Sequence, residues 1–346
     1  MQEKMMEYAR LLVEIGVNVQ KGQNLVISAP VECADFARMC AKAAYAAGCR
    51  EVIMNWKDDT LTREKYLHAA EDVFDTVPEW SKHFYNDYAQ EGAAFLSISA
   101  TDPENLLGVD SGRLVRSQRS SGEALKPYYR LQMASGFAWC IASIPIPSWA
   151  NKVFPGRADA MERLWDAILA TVRVNGDGRA VERWRDHLKK LEERRDKLNA
   201  YHFASLHYRN SLGTDLVIRL PENHLWAAGG GATKSGQAFI ANIPTEEIFT
   251  APLRNGIDGV VYAALPLCHD GNIIDKFHMV VKEGKIVEVH AEKGEETLRS
   301  AISVDEGASY FGEVALVPYD SPISNQKILF YHTLFDENAS CHLAFG

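Results

Sequence analysis

The sequence predicts an α/β protein: an N-terminal open α/β domain with a mostly parallel sheet, followed by a β-rich (α+β) domain. Three observations carry this. In the first half, short apolar runs alternate with helical patterns, the signature of βαβ units with right-handed crossovers. From residue 201 the pattern becomes short alternating segments divided by turn residues, which suits antiparallel strands. A chain of 346 residues is also too long for one ordinary core.

Met5, Tyr8, Ala9 and Leu12 recur at helical spacing, and Gly16 stands where a helix C-cap is expected. "NLVIS" is a buried-strand pattern, and "CADFARMCAKAAYAAG" is an Ala-rich helix closed by Gly48. "EVIMNW", "AAFLSIS" and "WCIASIP" supply three further strands. The α/β domain therefore spans 1–155, and a helical connector spans 156–200. The connector holds "ADAMERLWDAILATV" and the long "AVERWRDHLKKLEERRDKLNAY". Residues 201–346 form the β-rich domain, with strands at "HFASLHY", "DLVIRL", "QAFIANI", "GVVYAAL", "HMVVKEG", "KIVEVHA", "EVALVP" and "KILFYH". One helix is expected near 294–303.

Composition narrows the function. Apolar residues are 47% and charged residues 24%, ordinary values for a folded globular chain. A net charge of −9 argues against nucleic-acid and anionic-membrane partners. Cysteines 33, 40, 49, 140, 268 and 341 form no CxxC pair, so free thiols in a reducing cytoplasm are expected. No apolar run reaches the 18 residues of a membrane span, and the N-terminus lacks a signal-peptide core. Asn338-Ala339-Ser340 matches a glycosylation sequon, which carries no weight without secretion.

Several motifs favour plain readings. "GGGATKSG" lacks the order of a phosphate-binding loop and precedes a strand, so a hairpin loop is expected. "GDGRAV" lacks the third glycine of a dinucleotide fingerprint and reads as a turn. "LCHDGNIIDKFH" offers Cys268, His269, Asp270, Asp275 and His278 as metal donors, yet its flanks make "HDGN" a turn between strands. No GxSxG elbow is present.

Three stretches stand out: "ANIPTEEIFTAP", "SYFGEVALVP" and "DENASCHLAFG". Each sets an acid or imidazole beside an apolar strand. Glu313, between "YFG" and "VALVP", needs a partner if buried, and a cation is one possibility. Glu246 and Glu247 are adjacent, so in extended chain only one of them points into a given site. Carboxylates with a neutral imidazole suit Zn²⁺, Co²⁺ or Mn²⁺, and for each residue alone a satisfied ion pair is the alternative.

At these stretches, and at "GTDLVIRLPENHLWAAGG" and "TLFDENASCHLA", the chain resembles the M29 metallo-aminopeptidases, the aminopeptidase T and aminopeptidase S group. The resemblance covers essentially all of 1–346. It implies Glu247, Glu313 and His342 as metal ligands, and two divalent metal ions (Zn, Co or Mn) in a β-rich catalytic domain. It also implies a homodimer around an enclosed cavity and removal of N-terminal residues from short peptides. In adjacent-Glu pairs of other two-metal aminopeptidases one Glu is the general base, which makes Glu246 the catalytic candidate. Family members continue past "HLA" to a tyrosine and then a His and an Asp that complete the two-metal site. The expectation for a chain ending at Gly346 is a C-terminally truncated form with a weak second metal site and little peptidase activity. Two other readings stand beside this one. One is a non-catalytic two-domain protein binding peptides or small molecules. The other is a nucleotide-dependent oxidoreductase, disfavoured by the missing fingerprint.

Overall fold

The computed structural model describes residues 1–346. Contacts divide the chain into two compact units, one of Met1–Leu188 with Gly229–Thr245, the other of Lys189–Ala228 with Glu246–Gly346.

The first unit is built on a five-stranded sheet, ordered Asn242–Ile243, Trp139–Ser143, Ala94–Ser99, Asn24–Pro30, Glu51–Lys57, with every pairing parallel. Residues 25–30 of the interior strand Asn24–Pro30 are all buried, as a strand covered by helices on both faces must be. That is why these segments read as unbroken apolar runs rather than alternating ones. Gly48 has φ +91° and ends the Ala34–Ala46 helix as expected. Gly16 does something different. The first helix, Gln2–Leu11, runs on through one π-helical turn, Leu12–Gly16, so Gly16 is not a left-handed cap. A Cβ there would meet Cys140 Sγ at 2.9 Å. Glycine is required for close packing of the helix end on the sheet. "GGGATKSG" belongs to a hairpin, its own Gly231–Ala232 pairing antiparallel with Ala238–Phe239. "QAFIANI" is not one strand, since Asn242–Ile243 joins the parallel sheet instead.

The second unit is antiparallel. A six-stranded sheet runs Leu267–His269, Asn272–Lys282, Ile257–Tyr262, Asp215–Arg219, Ser205–Arg209, with Lys285–Lys293 also on Asn272–Lys282. Alternation shows in Asp215–Arg219, where Leu216 and Ile218 are buried and the outer residues are exposed. "HDGN" is the tight turn expected: Asp270 and Gly271 both have positive φ, the requirement of a two-residue hairpin whose twist matches its strands. A helix spans Glu295–Ala301. "KILFYH" forms no strand. Tyr331 has φ +54°, and the segment leads instead into the short helix Thr333–Asp336.

The element that positions the site is a four-stranded antiparallel sheet, ordered His342–Phe345, Phe311–Leu316, Ile248–Thr250, Ala227–Ala228. Val314, Ile248, Ala228 and Phe311 bury one side of it in a core shared with Trp226, Ile218 and Met279.

Candidate metal centre

Strand register brings the three expected ligands together. Side chains of a strand alternate between faces, so Glu313, Ala315 and Val317 share one face. His342 pairs directly with Ala315. Ile248 pairs with Leu316, and carrying that register one residue back sets Glu247 opposite Val317. Parity thus puts Glu247, Glu313 and His342 on the same side of the sheet. Their donor atoms all lie within 4.8 Å of one another. His342 Nε2 is 3.0 Å from Glu247 Oε2 and 3.6 Å from Glu313 Oε1.

Glu246 is not among the converging donors. It is 3% exposed, and its backbone N–H donates to Asn338 Oδ1 at 2.8 Å. This is the outcome that adjacency in an extended segment dictates: one glutamate of the pair faces the cluster.

The electrostatics of the cluster favour a cation. Burial opposes charge on His342, but hydrogen bonds to Glu247 and Glu313 outweigh it and push the imidazole up to about 11. A proton is therefore held where two carboxylates and a ring nitrogen converge. A divalent ion suits the same donors, with oxygen and nitrogen ligands on three separate segments. The donor set fits the metals that the resemblance implies.

A fourth group escaped the sequence reading. Glu337, on the single turn Glu337–Ala339, has its carboxyl raised to about 8. Burial is the main cause, followed by the charge of Glu247, with His342 opposing and Glu313 adding a smaller push. It is a carboxyl held close enough to the cluster to feel each member. Its neighbour Asp336 accepts from the backbone N–H groups of Phe330 and His332, at 2.8 and 2.9 Å, and so ties down the turn. The signal for Glu337 was an acid five residues before the candidate ligand His342, in a stretch otherwise read only as polar turn.

Carboxylates and an imidazole gathered on one sheet face are the donor set of a candidate metal centre. Residues 1–346 match the family described as thermophilic metalloprotease (M29). The chain belongs to this family, that of the M29 metallo-aminopeptidases, and is a hydrolase. It is 46% identical over 346 residues to aminopeptidase AmpS of Bacillus subtilis (strain 168), covering 99% of this chain and 84% of that one. It is 41% identical over 342 residues to aminopeptidase 2 of Geobacillus stearothermophilus, covering 98% and 82%. The structure of wild-type AmpT from Thermus thermophilus superposes with a TM-score of 0.91 at 39% identity, covering all of this chain (100%) and 85% of that one.

Proposed function

We propose that the chain removes N-terminal residues from short peptides, using two divalent metal ions bound in the β-rich part of 201–346. The observation that carries this reading is the convergence of Glu247, Glu313 and His342 within 4.8 Å. These three, with Glu337 beside them, would hold the metal; Zn²⁺, Co²⁺ and Mn²⁺ all suit the donors. When bound, such ions polarise the scissile carbonyl and supply a nucleophilic water at neutral pH.

The chain's own residues supply the rest. Glu247, Glu313 and His342, by holding a dication, would present it to the substrate's free α-amine, which would restrict cleavage to the first residue. Glu246, buried and adjacent in sequence to Glu247, is the candidate base by analogy with adjacent-Glu pairs of other two-metal aminopeptidases. There it would take the proton from water and pass it to the leaving amine. The six cysteines, free and mostly buried, suit a reducing cytoplasm. No helix is long and apolar enough to cross a membrane. The family resemblance supports a homodimer, checked by sedimentation.

The reading is tested on the purified protein. Leucyl peptides with free and with acetylated N-termini are compared, before and after chelation with EDTA. Loss of the first residue from the free peptides alone, abolished by EDTA, is the expected result. Equal cleavage of acetylated peptides, or full activity in EDTA, would refute it.

A further inference from the structure

Metal ligands delivered by separate segments need something to fix those segments against each other. Glu246 and Glu247 precede the strand Ile248–Thr250. Glu337 and His342 lie on either side of the stretch that joins a turn to the last strand. Strand pairing sets the register of Glu313 and His342, but it does not reach the residues before Ile248 or the turn at Glu337.

One side chain closes that gap. Asn338 is fully buried, at 0% exposure. Its Oδ1 accepts from the Glu246 backbone N–H at 2.8 Å, and its Nδ2 donates to the Leu334 carbonyl at 3.2 Å. Its own carbonyl accepts from Ser321 Oγ at 3.4 Å. Both ends of the amide are therefore used, one on each segment. A buried amide so placed cannot turn without leaving a donor or an acceptor unmade, which holds it in one orientation. The residue sits between Glu337 and His342 in sequence and grips the backbone beside Glu247.

We infer that Asn338 is the positioning residue of the metal centre, a clamp that holds the Glu246–Glu247 segment against the Glu337–His342 segment. It touches no reacting atom. It acts by fixing where Glu247 stands relative to His342, so its loss is felt as metal affinity. The inference rests on the metal-site reading above. Neither an aspartate nor an alanine reproduces it. Aspartate keeps the acceptor for Glu246 but sets a carboxylate oxygen against the Leu334 carbonyl, and alanine makes neither bond.

The test is titration of metal-free protein with Co²⁺, followed by calorimetry and by the visible d–d absorption of the bound ion. Asn338→Ala and Asn338→Asp are compared with Asn199→Ala. Asn199 makes an equally double-ended pair of bonds, to the backbone N–H and carbonyl of Trp226, and serves as the control for general loss of stability. Losing support for a ligand typically weakens binding about 10–100-fold. That loss, with an altered d–d spectrum, is expected for both Asn338 variants and not for Asn199→Ala at matched folded fraction. Wild-type protein that binds no Co²⁺ would remove the metal-site reading itself. Wild-type binding with unchanged affinity and spectrum in the Asn338 variants would overturn the clamp alone. If the Asn338 variants do not fold, Asn338→Ser, which keeps a small hydroxyl, is titrated in their place and read the same way.

Discussion

His342 Nε2 and Glu247 Oε2 stand 3.0 Å apart although their strands are not neighbours. The Phe311–Leu316 strand lies between them, and Glu313 projects from it to the same point. Two strands of one antiparallel sheet thus deliver Glu313 and His342, and Glu247 immediately precedes a third, so the geometry depends on strand register and on what holds the segment before Ile248.

Removing a donor from this arrangement should cost more than removing a support. Glu247→Gln, Glu313→Gln and His342→Ala are each expected to weaken Zn²⁺ or Co²⁺ binding by more than the roughly 10–100-fold typical of residues behind a ligand. Calorimetric titration of the metal-free variants measures this. Affinity within threefold of wild type for any one of them would remove that residue from the ligand set.

Glu246 should behave differently from its neighbour. As a base it would contribute about 10²–10⁴-fold to the rate while leaving metal content alone. Glu246→Gln is expected to lower kcat by that amount with KM and metal stoichiometry unchanged. Steady-state kinetics beside atomic absorption separates the two effects. A drop in bound metal would make Glu246 a ligand or a support instead.

Gly16 makes a prediction about packing. Alanine there brings a methyl group to 2.9 Å from Cys140 Sγ, inside the first unit's core. Overpacking of this kind costs about 1–3 kcal/mol. Gly16→Ala should lower the thermal midpoint, and the paired change Gly16→Ala with Cys140→Ala should recover part of the loss. Melting curves that match wild type would show that the helix end has room.

Asp59, in the first unit, provides a pH test of charge burial. Its carboxyl is raised to about 6, first by burial and then by the charge of Glu32, against the Asp102 backbone N–H and Lys57. Its Oδ2 is buried with no hydrogen-bond partner. A folded-state value above the unfolded one means stability fully present below about pH 4 and lost as pH rises through 6. Asp59→Asn should therefore be more stable than wild type at pH 7.5, by about 1 kcal/mol after allowing for partial exposure, and lose that advantage at pH 4. Urea unfolding at the two pH values decides it. An equal difference at both would rule out charge burial as the cause.

Much of this architecture was legible in the residues, and the reasons for the misses are physical. Strands of the parallel sheet announce themselves because burial on both faces demands unbroken apolar runs. The helix Asp59–His68 buries no residue, so it has no apolar face for a periodicity argument to find. "KILFYH" misleads in the opposite sense: its apolar residues pack, with Phe330 fully buried, but in irregular chain. In the site, Glu247, Glu313 and His342 came from three motifs in order, and strand parity explains why they meet. Glu337 and Asn338 could not be read the same way. Their significance comes from a turn folding back toward Glu246, a contact that no local pattern encodes.

The most direct measurement is anomalous diffraction at the zinc or cobalt edge from crystals grown with that ion. The account predicts a peak within bonding distance of Glu247, Glu313 and His342 together, with Glu337 adjacent. A peak bound by other residues, with these three side chains left to pair among themselves, would contradict it.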